Sequence, residues 1–585
     1  MADPAHLIPI APIHTAPVEI IGEILCYALS GPLEHGHDQR VSSILRVCRR
    51  WNQIAMQSKE FRSHQFVPRP GADTESTQAL LDYTAPHPIR ICTYAHIRRD
   101  PGEPDPEDVA HHRVIALPTH PILGPLAITL RNVARIREVR LVGCEDDIGL
   151  DTIFYKAVRS FFQRLGPASA SADASVTTAI EEPLEELALE GMAPGEGSVP
   201  MDLERLEING LLENAHLIGF LLYAFPIDPR FNFMSVREIT LQSCGLDFTS
   251  AAIFRSPVLT TVNLTYHYMV PVSWENELEE WGRIVNALER MTMVKTLRLQ
   301  LARPRIEQEH FGSYPPRVYV LPSLQQFIIG DHPITVIKLL NHIRFPHSAS
   351  LFLSFYLDRK DFPSTQASDI SSALTEYFPT SSAPFRSLII EGNSEDRDGC
   401  SWVLLPPAES GRGSLRVGTA TYNNTYRIFS SRRAASNDLR RYVVDLFTLG
   451  GADLLKDITH VSIRLPGALS AKLWSRILVS LPRLKELLIS GDAVAGWMDL
   501  CLKASNDRNA RPALKSPILP RLRIVDTTFH GPEVCSRLIS CVLLVAGKGC
   551  TATLDGCSFI QIERDTWRQA NHLMRGGHCT FNGEA

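Results

Sequence analysis

VREITLQSCGL, residues 236–246, sets Val236, Ile239 and Leu241 in the order aliphatic, two residues, aliphatic, one residue, aliphatic. Its last two aliphatics enclose one polar residue, the period of a strand that buries a single face. The same order recurs as IREVRL from 136, LEELAL from 184, LERLEI from 203, LTTVNL from 259 and VKTLRL from 294. It returns as LQQFII from 324, FRSLII from 385, ITHVSI from 458 and LKELLI from 484. LRIVDT from 522 fits with a polar last position, SASLFL from 348 is a weaker member, and SLRVGT near 414 is marginal. Proline often stands just ahead of the unit, at Pro183, Pro257, Pro322, Pro384, Pro482 and Pro520. An entry turn suits it there, because proline has no N–H to give to a sheet ladder.

Between these units lie segments of helical period. WENELEEWGRIVNALERM aligns Leu278, Trp281, Val285, Leu288 and Met291, and SAKLWSRILVSL aligns Leu473, Trp474, Ile477, Leu478 and Leu481. DTIFYKAVRSFFQRL, ITVIKLLNHI and EVCSRLISCVLLVA read likewise. Like strands separated by helices predict a parallel sheet. Two architectures satisfy that: an elongated repeat array, or an ordinary α/β domain. Persistence over about ten units favours the array.

The stretch 236–246 resembles the leucine-rich-repeat pattern L-x-x-L-x-L-x-x-N/C-x-L, with Val236, Ile239, Leu241, Cys244 and Leu246 in the five named positions. Most other units lack the Asn or Cys, and the spacing between units varies. The resemblance spans roughly residues 120–560 and implies an irregular leucine-rich-repeat solenoid of α/β class.

A chain of 585 residues is too long for one compact core. Its 44% hydrophobic and 21% charged content is that of an ordered protein. With a net charge of −5 and no lysine–arginine block, nucleic acid is not the expected partner. The twelve cysteines include no C-x-x-C pair, and no spacing fits zinc ligation. No basic start followed by an apolar core is seen in the first twenty residues, and the longest apolar runs fall short of the ~20 residues of a membrane span. The expectation is a protein of the cytoplasm or nucleus, not secreted and not in a membrane. The sequons at Asn263 and Asn423 then read as chance matches.

The segment ahead of the repeats has a different character. APVEIIGEILCYALSG places Pro17 and Glu19 at a helix start and Ile20, Ile21, Ile24, Leu25, Ala28 and Leu29 on a broad apolar face. After a break, Val41, Ile44, Leu45, Cys48, Trp51, Ile54 and Ala55 again follow helical spacing, with Arg46, Arg49 and Arg50 largely off that stripe. So small a helical core normally needs a partner surface. These residues resemble an F-box. Pro17, Glu19, Ile20, Ile24 and Leu25 fill the first half of that family's pattern, and Leu45, Val47, Cys48, Arg49, Trp51, Ile54 and Ala55 the second. Ala16 replaces the usual leucine before proline, and Phe61 stands where Leu-Trp is common.

The resemblance implies an N-terminal F-box domain over 12–66, a connecting segment and start of the array over 67–120, and the array with its C-terminal cap over 121–585. It implies docking on the Skp-type adaptor of a cullin-RING (SCF-type) ubiquitin ligase, through Pro17, Ile20, Ile24, Leu25, Leu45, Val47 and Trp51. The array would then hold an unknown target protein for ubiquitylation, with no catalysis of its own. The layout resembles the large fungal families of F-box proteins with degenerate repeats. Residues between the strand aliphatics are candidate target contacts: Arg140, Glu207, Thr240, Asn263, Arg298 and Arg464. The alternatives are a leucine-rich-repeat scaffold outside any ligase, or an enzyme with a diffuse site.

No cofactor or metal is expected. The chain has no G-x-S-x-G, H-E-x-x-H, P-loop or G-x-G-x-x-G string, and the last glycine of GRGSLRVG is displaced. His111, His112 and His120 lack a completing cysteine or carboxylate, and the acidic turn region DPGEPDPEDV lacks EF-hand spacing. The stretches 166–183, PPAESGRGS and SNDRNARPALKSP read as loops or linkers.

Overall fold

The computed structural model describes residues 16–29, 43–64, 73–94, 135–142, 203–209, 234–242, 256–265, 287–300, 318–331, 333–356, 385–392, 400–407, 413–420, 452–465, 469–506, 521–546, 550–560 and 579–582, with a few isolated positions besides. The unit LEELAL, the helical segment from 151, the linker 166–183, Cys244 and the histidines at 111, 112 and 120 lie outside these residues. The protein is α/β, with helices and mostly parallel sheet. It divides into two compact units, residues 1–294 and 295–585.

In the first unit, helices precede the sheet, among them α1 (Val18–Leu29), α2 (Arg49–Gln57), α3 (Lys59–His64) and α4 (Thr74–Thr84). Each start has a local cause. Pro17 precedes α1, and the Cys48 thiol accepts from the Trp51 N–H to cap α2. Asp73 accepts from the Ser76 N–H at 2.6 Å to cap α4. Arg135 closes the far end of α4, donating to the carbonyls of Leu81 and His87 and to the Thr84 hydroxyl.

Parallel strands of the main sheet follow: β1 (Ile89–Tyr94), β2 (Ile136–Val142), β3 (Arg205–Asn209), β4 (Glu238–Gln242) and β5 (Thr261–Thr265). Each after β1 pairs with the one named before it, and the two-residue strands Val199–Pro200 and Phe231–Asn232 pair with each other. Val236, Ile239 and Leu241 are buried, as are Leu259, Val262 and Leu264, so the aliphatic order observed in sequence marks the inner face.

The second unit contains β6 (Thr296–Gln300), β7 (Gln326–Asp331), β8 (Ser350–Tyr356), β9 (Ser387–Gly392), β10 (Cys400–Leu405) and β11 (Leu415–Ala420). They are followed by β12 (His460–Leu465), β13 (Glu486–Gly491), β14 (Arg521–Val525), β15 (Thr551–Asp555) and β16 (Cys579–Asn582). Spatial order follows sequence order except at one place. There β8 pairs with β11, β11 with β10, β10 with β9 and β9 with β12. β10 is antiparallel to both neighbours, making a three-stranded meander inside a parallel sheet. Trp402 on β10 is fully buried, in register with Ile390 and Val417.

Helices α5 (Pro333–His342), α6 (Ala471–Val479), α7 (Ala493–Asn506) and α8 (Pro532–Ala546) alternate with these strands. Ser470 caps α6, and the Trp474 indole donates to the Ala493 carbonyl at 3.2 Å. Gly496 is obligatory on α7, because a Cβ there would lie 1.7 Å from the Leu469 carbonyl oxygen. The chain leaves β13, β14 and β15 through residues of positive φ: Gly491, Asp526 and Gly556.

Two readings of the sequence are corrected here. The unit read from 522 is out of frame: Leu522 and Ile524 stand in register with Leu487 and Ile489, so they are its second and third aliphatics. The marginal SLRVGT is a full strand, β11, burying Leu415 and Val417. β10, β15 and β16 escaped the pattern search because they lack the leading aliphatic.

Candidate functional site

The N-terminal helices close a small core of their own. Ile21, Leu25, Cys26, Ile54, Ala55 and Phe61 are buried together, with Ala16, Ile44, Leu45 and Trp51 packed at the margin. Arg50 fastens α2 to the start of α1 by donating to the Ala16 carbonyl at 2.7 Å, and Asn52 donates to the Leu45 carbonyl at 3.2 Å. Burial pushes the Cys26 thiol up to about 11, aided by the Glu60 carboxylate. That cysteine is a packing residue rather than a nucleophile.

This core leaves a second apolar face outside. Ile20 is 45%, Ile24 37% and Tyr27 82% exposed, and Pro17 is exposed beside them. Residues 17, 20, 24 and 27 recur at helical spacing, so they form one strip along α1. Val47, 54% exposed, adds an aliphatic from the turn ahead of α2. Of the residues expected to face an adaptor, Pro17, Ile20, Ile24 and Val47 lie on the surface, whereas Leu45 and Trp51 are half-buried against the core. Leu25 has no exposed surface and points into the core. Tyr27 was missed, although its place seven residues after Ile20 was the available signal.

The outer face of the first sheet is a ladder of alternating charge. Register sets Arg90 beside Glu138, Glu138 beside Arg205 and Arg205 beside Glu238. Arg90 lies 3.0 Å from Glu138, Arg205 3.7 Å from Glu138 and 3.1 Å from Glu238. One step along the strands, Arg140 pairs with Glu207 at 2.9 Å. The Glu138 side chain is only 4% exposed. Desolvation pulls the Arg90 guanidinium below the ordinary arginine range despite the opposing pull of Glu138. Arg140 and Glu207, expected as target contacts, are therefore committed to each other.

The outer face of the second sheet is different. Its central row holds Ile328, Phe352, Val403, Ile389 and Leu488, with Arg416 between Phe352 and Val403 and Ser462 between Ile389 and Leu488. All five apolar side chains are half-buried. Arg416 pairs with Glu391 at 2.8 Å, and Arg523 with Asp555 at 2.9 Å. Arg298 donates to the Gln300 amide oxygen at 2.9 Å, and Arg464 is exposed. Neither has a carboxylate partner among the described residues.

Among the described residues, no group of three or more histidine, cysteine, aspartate or glutamate side chains is placed to hold a metal ion. Nor is any helix there long and apolar enough to cross a membrane. No protein-family model matches the chain, and no curated protein matches it.

Proposed function

We propose that the chain is a non-catalytic substrate receptor of an SCF-type ubiquitin ligase: an N-terminal F-box docks on a Skp-type adaptor, and an irregular leucine-rich-repeat array holds the target. The observation that carries this reading is the strip Pro17, Ile20, Ile24 and Tyr27, left outside a helical core that is already closed. Exposed aliphatic area of that kind on a short helix calls for a partner surface. Support for an array comes from β1 to β5, each beside its predecessor in sequence. Doubly wound α/β domains instead reverse strand order at a switch point. The mechanism is proximity: one end of the chain fixed on the ligase, the other raising the effective concentration of target lysines near the conjugating enzyme.

Co-purification of the full chain with a Skp-type adaptor tests it. Adaptor should come down with the native chain and be lost with Ile20→Asp/Ile24→Asp. Both positions are exposed, so a matching thermal melt should show that the variant folds. A substitution at Leu25 would not serve, since it breaks the core. A folded native chain that recovers no adaptor overturns the reading.

A further inference from the structure

We propose that the outer face of the second sheet, between β7 and β13, is the target-binding surface, and that its occupant is a protein segment of apolar side chains carrying at least one carboxylate. This rests on the substrate-receptor reading and deepens it. Strands pack roughly 4.8 Å apart, so Ile328, Phe352, Val403, Ile389 and Leu488 form an apolar row, broken by Arg416 and Ser462, long enough for a strand or helix laid across it. Sheet faces turned to water normally carry polar residues at such positions. The first sheet does so, with its charged ladder.

A further observation defines the occupant. Two residues beyond Ser462 on the same strand, roughly 7 Å away, the exposed Arg464 offers a guanidinium with no carboxylate partner among the described residues. Its register neighbour Glu391 is bonded to Arg416 instead. A carboxylate on the incoming segment would complete Arg464. Arg298, at the β6 end of the row, offers a second cation.

The test uses the immobilised full chain and a displayed library of random twelve-residue peptides. Enriched peptides should combine apolar residues with Asp or Glu. Their binding should weaken about tenfold or more with Arg464→Glu, by loss of a charge-assisted bond. It should weaken similarly with Ile389→Glu and stay unchanged with Lys472→Glu on the exposed side of α6. Arg464 is exposed, so its variant should keep the native melting temperature; should Ile389→Glu unfold, Ile389→Ala replaces it, with a smaller loss expected. No enrichment over bare support, enrichment of basic peptides, or indifference to Arg464→Glu overturns the proposal. So does equal competition by a single-stranded DNA oligonucleotide, which would make the face a polyanion site. Adaptor binding, measured on the same preparations, separates the two readings. Loss of peptide selection with adaptor binding intact sinks only the face, and the reverse sinks only the ligase role.

Discussion

The strands of the first unit and those of the second each bury one face of aliphatics, and their outer faces differ in kind. On β1 to β4 the outward column reads Arg90, Glu138, Arg205, Glu238, and each charge meets its opposite across one strand spacing. On β7 to β13 the corresponding column is largely apolar, with an exposed arginine nearby, Arg464, that has no carboxylate partner among the described residues. A face whose charges are already paired gives little to a partner, because any newcomer must displace a carboxylate. A face with apolar area and an open guanidinium gains from being covered. Two surfaces built on the same strand pattern thus differ in chemistry, one with its charges paired across strands and the other largely apolar.

The inner faces should respond alike whichever outer face lies behind them. Trp402→Ala, at the centre of the antiparallel insertion, should cost about 4 kcal/mol in denaturant unfolding, the usual range for an emptied tryptophan site. A cost under about 1 kcal/mol would mean that β10 does not carry the core of the second sheet.

Next in size is the ladder. Glu138→Ala strips a nearly buried carboxylate from between Arg90 and Arg205 and should destabilise the protein by about 3 kcal/mol, read from a shifted unfolding midpoint. Loss of an exposed charge such as Arg464 should change the midpoint little. If both substitutions behaved alike, the contrast between the faces would be lost.

A smaller effect is expected in alkali. Burial raises the Cys26 thiol in the first unit and the Cys550 thiol in the second to about 11 from 9.0. The unfolded chain then releases these protons before the folded one does, so this stability is whole below pH 9 and declines as pH rises from 9 to 11. Thermal melts across that window, with Cys26→Ala and Cys550→Ala for comparison, should show a shallower decline in each variant. Smallest of all, Ser462→Ala should leave stability within about 0.5 kcal/mol of native or raise it, since it removes an unsatisfied hydroxyl. A clear loss of stability would show that the hydroxyl has a structural partner.

Much of this fold was legible from its aliphatic spacing, because burial on one strand face enforces period two. The units at 236, 259, 294, 324, 385, 458 and 484 all bury their three aliphatics. Strand direction was not legible: Trp402 and Leu404 on antiparallel β10 alternate just as Leu415 and Val417 do on parallel β11. The ladder was invisible within any single unit, since it exists only in register between strands. Stacking IREVRL, LERLEI and VREITL in columns gives Glu138, Arg205, Glu238 in one and Arg137, Glu204, Arg237 in the other, and that alternation was the available clue. On α1, the helical period identified the apolar face but could not divide it into an inner half, Ile21 and Leu25, and an outer half, Ile20 and Ile24. Only the packing of α2 and α3 makes that division.

Hydrogen–deuterium exchange of the full chain, with and without a Skp-type adaptor in excess, tests the docking role of α1 most directly. The expected result is slower exchange confined to α1 and to the turn and helix from 43 to 57, with both sheets unchanged. Unaltered exchange in α1, or protection appearing only in the sheets, would contradict it.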